Sequence, residues 1–310
     1  MRRAFALGSV AVIAAVLAGL PLGLASAAPA DRALDVGLGA PAASIAYGST
    51  SRMLAAERAL EKRRAALKAH VHDMPDLTQT DPELGLPGGG GSYCGPVAVS
   101  NSLMWLSEHG YQGLAPAGDD DHARQLELVR RLGSRRYMAT GANSGTGAAA
   151  VLEGLARYMK DAGFGFHRLQ YQGWRAHPAK YSGNDKIAQI GFIREALESG
   201  GVAWLNVGWY QPSPRGGVWR RHGGHWLTVV GMDVDAGGNP APGVLAIHDP
   251  APWSGDTLVT HFARFRPIGD GWLSTEAGPF RADGYQALDG ILVKHDGDVA
   301  IVDGAVVLVP

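Results

Sequence analysis

The 310-residue chain holds a single cysteine, Cys94. One cysteine excludes an intramolecular disulfide and any zinc or iron–sulfur centre that needs several thiolates. A surplus of charge is missing as well: 28 Lys and Arg face 29 Asp and Glu, a net charge of -1. A dedicated nucleic-acid binder carries a basic surplus, so no nucleic-acid partner is expected. With 46% hydrophobic and only 18% charged residues, the composition is not that of a disordered chain. No Gly-Lys-Ser/Thr follows the glycine run 88–91, so there is no phosphate loop. Gly145-Thr146-Gly147 lacks the preceding strand and the acidic partner that a dinucleotide fingerprint requires. After the N-terminus no stretch is long and apolar enough to span a bilayer.

The N-terminus itself is different. Arg2 and Arg3 precede an apolar run that reaches about Leu24, and Ala25-Ser26-Ala27 supplies the small residues of a cleavage site. This is the layout of a secretory signal peptide over residues 1–27, cleaved after Ala27. The competing reading is an uncleaved membrane anchor, against which Gly19, Pro21 and Gly23 weigh by weakening a helix. Cleavage takes the net charge to about -3 and implies a secreted or periplasmic protein with no stable membrane insertion. Exported proteins usually use cysteines in pairs. A lone one is either a buried small hydrophobe or a thiol kept for its reactivity.

Residues 28–75 read as a leader: Ala, Gly, Pro and Ser to about Ser51, then a basic helical pattern from Arg52 to about His70. Met53, Leu60 and Leu67 form its narrow apolar seam. It is read as a solvated helix, with a removable pro-segment or an envelope-binding surface as alternatives. Residues 76–310 then form the main domain. Helices are expected from Cys94 to Glu108, from Asp121 to Leu132, after an N-capping Thr146, and from Ile187 to Ser199. Strands are expected at Val202 to Tyr210, His225 to Val234, Val244 to Ile247, Gly290 to Lys294 and Val299 to Val309. Helices followed by an antiparallel sheet make an α+β arrangement.

Cys94 stands where a glycine-rich loop enters the first of these helices, within Gly90-Gly91-Ser92-Tyr93-Cys94-Gly95-Pro96. Unpaired N–H groups and the positive end of the helix dipole favour a thiolate there, and the same groups can stabilise a developing oxyanion. His225, in Gly223-Gly224-His225-Trp226, is expected at the mouth of a strand. Leu227 and Val229 would share one face, with Trp226, Thr228 and Val230 on the other. Asp249, in His248-Asp249-Pro250, closes the next strand, since proline cannot extend the ladder. Were the two strands neighbours, Asp249 would orient His225 and His225 would serve Cys94 as general base.

Tyr93-Cys94-Gly95-Pro96 before a helix, Gly224-His225-Trp226 opening a strand and His248-Asp249-Pro250 closing another resemble the papain-like cysteine peptidase superfamily. Within it they are most similar to stand-alone relatives of the double-glycine leader (bacteriocin-processing) peptidases. The resemblance covers roughly Asp76 to Trp253. It implies a papain-like α+β fold, a helical part carrying Cys94 packed on an antiparallel sheet carrying His225 and Asp249. It also implies thiol hydrolysis of amide bonds in a peptide or protein substrate, with no cofactor and no metal. Such peptidases carry a glutamine about six residues before the nucleophile. Here Pro87, Gly88 and Gly89 stand there, so Gln79 is the oxyanion candidate only if the glycine-rich loop turns back.

Other readings stand beside this one. His222, His225, His248 and Asp249 are chemically able to bind zinc, although their spacing matches no zinc motif and no His-Glu-x-x-His occurs. A secreted peptide- or wall-binding module with an inert thiol is a second, and a thiol amidase or acyltransferase a third. Trp204, Trp209, Tyr210 and Trp219 are candidates for a substrate groove or for core. His222, next to Arg220 and Arg221, is read as part of an exposed hairpin.

Overall fold

The computed structural model describes residues 54–59, 61, 65, 73–254 and 259–310. The signal peptide and the leader to Ser51 lie outside them; the basic segment is seen as an exposed helix at 54–59. Helix α1 (Cys94–Glu108) is buried along its whole length up to Ser107. Its Gly, Ala and Ser residues keep it thin enough to be packed on every side. Helix α2 (Asp121–Gly133) begins at Asp120, whose carboxylate accepts from Ala123 N at 3.1 Å, an ordinary N-cap. Helix α3 (Ala148–Asp161) starts one residue later than expected, with Gly147 at the cap. Thr146 does not cap it: its hydroxyl is 2.7 Å from that of Thr140. Strand β1 (Arg168–Gly173) and helix α4 (Ile190–Glu198) complete the first half.

The second half is almost all strand: β2 (Val202–Pro212), β3 (Val218–Val234), β4 (Pro240–His248), β5 (Thr260–Pro267), β6 (Trp272–Thr275), β7 (Gly278–Arg281), β8 (Gln286–Asp289) and β9 (Val299–Val309). β3 pairs with β2 and β4, β4 with β5, β5 with β8, β8 with β9, and β9 returns to β2, every pair antiparallel. Six strands therefore close a barrel. β1 adds to β9, and the β6–β7 hairpin joins the first residues of β3.

This closure corrects the expected fold class. The body is a closed antiparallel barrel within a nine-stranded sheet, with helices in the minority, and not the papain-like α+β arrangement. Closure depends on pairing such as Ala203↔Val307, across about a hundred residues, to which hydrophobic periodicity is blind. The expected strand at Gly290 to Lys294 is irregular chain; the real strand β8 lies just before it. β3 starts at Val218, so His225 sits mid-strand and not at a strand mouth.

All six barrel strands feed one buried cluster, including Leu205, Val207, Leu227, Val229, Ile247 and Val302, and Phe192 and Ile193 of α4 pack into it. The alternate residues Trp204, Trp226 and Val230 face outward into a second cluster with α1 and α3. The alternation expected along β3 is thus the division between barrel interior and helix-covered face. A buried polar chain ties α1 to the barrel. Gln125 Nε2 donates to Asn101 Oδ1 (2.7 Å), Asn101 Nδ2 to Thr228 Oγ1 (3.3 Å), and Thr228 Oγ1 to the Ala98 carbonyl (2.9 Å). Trp204 Nε1 donates to that same carbonyl at 3.0 Å.

Candidate active site

Cys94 is the first residue of α1, where helical N–H groups have no partner within the helix. β3 passes this helix end and presents His225, and Asp249 follows directly on the last residue of β4. Because Thr228 pairs with His248 across the two strands, the turn after β4 returns beside His225. His225 Nε2 donates to Asp249 Oδ1 at 2.6 Å. The other side of the ring is hydrogen-bonded to Cys94, which by elimination assigns Nδ1 to the thiol. The three residues singled out in the sequence therefore form one connected unit, and all are buried.

Burial works against a charged imidazole, but the charges of Asp249 and Cys94 outweigh it and push the His225 pKa up to about 10. Asp249 is also buried, which on its own raises a carboxyl pKa. His225, the Ala251 N–H and the Ser254 hydroxyl hold it below the usual carboxylate range. Ala251 N lies 2.9 Å from Oδ1 and Ser254 Oγ 2.8 Å from Oδ2.

Gln79 reaches the same place. Its backbone N–H donates to the Pro250 carbonyl at 2.7 Å, and its side-chain Nε2 to the Gly90 carbonyl at 3.1 Å. The glycine-rich loop does turn back: Gly88, Gly89 and Gly90 all have positive φ. A Cβ at Gly90 would lie 1.9 Å from the Gln79 carbonyl oxygen, so only glycine permits this approach. Gln79, Cys94 and His225 line one cleft of about 570 Å³. One amide hydrogen of Gln79 remains after the bond to Gly90.

Sequence reading named Trp209 as a groove candidate but missed Trp253, Asn206 and Ser254. Trp253 and Trp209 flank His225, each with its ring centre 5.7 Å from the imidazole. Both form part of the cleft wall. Of the aromatic candidates, Trp209 lines the cleft, whereas Trp204 and Tyr210 are fully buried and Trp219 packs in a separate cluster. Asn206, opposite Trp226 on β2, donates from Nδ2 to the His225 carbonyl at 3.2 Å and steadies the strand at the site. Ser254 had a readable signal in its place five residues after Asp249; Asn206 had none, because the β2–β3 register decides its neighbour.

The zinc alternative comes apart in the structure. His222 is paired with Asp298 at 2.8 Å, and His248 spends its two nitrogens on the Pro75 carbonyl and Thr260 Oγ1. Burial holds the His248 pKa down at about 4. Among the described residues, no group of three or more His, Cys, Asp or Glu is placed to hold a metal ion. His222 and Arg220 are exposed on the β2–β3 hairpin, as expected, while Arg221 between them turns inward against Asp303. No helix among the described residues is long and apolar enough to cross a membrane.

No protein-family model, curated protein or solved structure matches the sequence.

Proposed function

We propose that the protein is a cysteine hydrolase that cleaves amide bonds of peptide or protein substrates through a thioester, and that it acts after export. The observation that carries the reading is the unit Cys94–His225–Asp249 at the floor of a cleft, with the sulfur at a helix N-terminus. It rests on those side chains and not on a fold family.

The Cys94 sulfur attacks the scissile carbonyl carbon, and the C=O electron pair moves onto oxygen. First-turn N–H groups of α1 and the free amide hydrogen of Gln79 receive that oxyanion. As the intermediate collapses, the C–N bond breaks and the Nδ1–H of His225 protonates the leaving amine. Water then adds to the thioester while His225 takes its proton. The S–C bond breaks, the acid product leaves, and the thiolate–imidazolium pair returns. Asp249 holds the ring in the tautomer that keeps Nδ1 toward sulfur and stabilises its positive charge. Acyl transfer to an amine would use the same first half.

The test is the pH dependence of Cys94 alkylation by iodoacetamide, followed by intact mass, in the wild type and in His225→Ala. A reactive pair labels at pH 6 at a rate at least about tenfold above that of the variant. A thiol that stays unmodified in the folded protein, or reacts identically in both, overturns the reading and favours a binding module with an inert cysteine.

A further inference from the structure

Beyond Gly224 the cleft changes from aromatic to charged. Arg175, Arg221, Lys294 and Glu276 line this end, three cations to one carboxylate. A second carboxylate, Asp303, lies fully buried beneath them and is no part of the cleft wall. Asp303 is saturated: Tyr210 OH (2.8 Å) and Trp174 Nε1 (3.0 Å) donate to Oδ1, and Arg221 Nε (2.8 Å) to Oδ2. With Asp303 neutralising one cation and Glu276 another, one positive charge is left over.

Arg175 and Arg221 share the cleft with Cys94 and His225, and Arg221 is fixed against β3. A Cβ at Gly224 would sit 2.3 Å from Arg221 Nη2, and one at Gly208, its partner across β2 and β3, 2.9 Å from Arg221 Nε. Two facing glycines thus make the seat in which this guanidinium lies, one residue before His225. Gly224 and His225 are adjacent on β3, and both line the cleft. Glu276, itself part of the cleft wall, bridges the two arginines. Arg175 Nη1 is 2.6 Å from its Oε1, and Arg221 Nη1 lies 3.4 and 3.3 Å from its two oxygens. Glu276 is half exposed and sits in the turn between β6 and β7. A carboxylate bridging two guanidinium groups from a surface turn occupies the position that an acidic ligand group would take.

We propose that this end of the cleft is a carboxylate-binding subsite of the hydrolase, and that Glu276 is a resident stand-in which an acidic group of the substrate displaces. The proposal rests on reading Cys94 and His225 as the reacting pair. The preferred substrate then carries a carboxylate about one residue from the scissile bond, either an acidic side chain or the C-terminus of the peptide.

Three thiol reagents of matched size separate these cases: the N-methylamide of bromoacetyl-glutamine (neutral), the N-methylamide of bromoacetyl-glutamate (side-chain acid), and bromoacetyl-glutamine with a free α-carboxylate. Because the chain has one cysteine, the rate of mass increase reports Cys94 alone. The expected result is that one anionic reagent labels wild-type protein at least about fivefold faster than the neutral one, with the advantage fading at high salt. Whichever acid is favoured names the source of the carboxylate. Arg175→Gln brings the acid-to-neutral ratio close to one, and Glu276→Gln, which removes the competitor, raises it further. The two substitutions move the ratio in opposite directions, so a general loss of fold cannot imitate both. Equal rates for all three reagents on wild-type protein that labels fast overturn the subsite alone. The subsite is likewise overturned by a preference untouched by Arg175→Gln or reduced by Glu276→Gln. A Cys94 that labels no faster than free cysteine with the neutral reagent overturns the hydrolase reading and the subsite together.

Discussion

His225 Nε2 and Asp249 Oδ1 stand 2.6 Å apart, with the rings of Trp209 and Trp253 each 5.7 Å from the imidazole. That one bond decides which ring nitrogen meets the Cys94 sulfur. Asp249→Asn keeps the shape but removes the charge and permits the ring to present the wrong tautomer. The expected outcome is a fall of about 10²–10⁴ in turnover, or a matching loss of low-pH alkylation of Cys94, with an unchanged melting temperature to within a few degrees. Single-turnover labelling followed by intact mass checks it.

Ser254 holds the other carboxylate oxygen of Asp249. Ser254→Ala removes one of the groups that keep that carboxyl acidic, so the pKa of Asp249 moves up toward its ordinary value. The acid limb of the pH–rate profile therefore shifts to higher pH, and the rate at pH 7 changes by less than about tenfold. A profile superimposable on the wild type contradicts this.

Gly90 tests whether the loop and Gln79 act together. An alanine there places its Cβ against the Gln79 carbonyl in a backbone conformation with φ +80°, which L-residues rarely adopt. Gly90→Ala is expected to push Gln79 away from the cleft and lower turnover by about 10-fold or more, at a stability cost of about 1–3 kcal/mol. Gln79→Ala, measured beside it, lowers turnover to a similar degree with a smaller loss of stability.

Thr228 is the joint between nucleophile helix and barrel. Thr228→Val preserves volume but leaves the amide hydrogen of Asn101 without its buried acceptor, while the Ala98 carbonyl keeps Trp204. A loss of about 1–3 kcal/mol in urea titrations is expected.

Asp76 provides a pH signature opposite to that of an ordinary salt-bridged carboxylate. Burial pushes its pKa up to about 7; the Val259 N–H works against this and Asp249 adds to it. The unfolded carboxyl ionises near pH 4 and the folded one only near pH 7, so the folded state loses stability as pH rises through that interval. Asp76→Asn cannot ionise. Its stability relative to the wild type therefore grows between pH 4 and pH 8, by up to about 4 kcal/mol, as thermal melts at the two pH values would show.

The candidate site residues were legible because each carried a local mark. Cys94 follows glycines and precedes Pro96 in a helix that runs to Glu108 as expected, and Asp249 is stopped by Pro250 directly after β4. The supporting residues had no such mark. Trp253 and Asn206 acquire their roles from neighbours distant in sequence. Asp303 looks like one more charge in a strand until Tyr210, Trp174 and Arg221 are brought round it. His222 was read as exposed and is, but its partner Asp298, 76 residues away, left no mark near it.

By itself the sequence determined the single thiol, the helix on which it sits, the inward and outward faces of β3, and the turn that ends β4. All of these follow from φ restrictions, side-chain periodicity and the chemistry of short segments. The tertiary structure alone decided that β9 returns to β2 and closes a barrel, that Gly90 folds back on Gln79, and that two arginines share Glu276 in the same cleft as Cys94 and His225. Those outcomes depend on contacts between residues far apart in the chain, whose free energy is set by packing and register once the sheet has formed and leaves no periodic trace in any one segment.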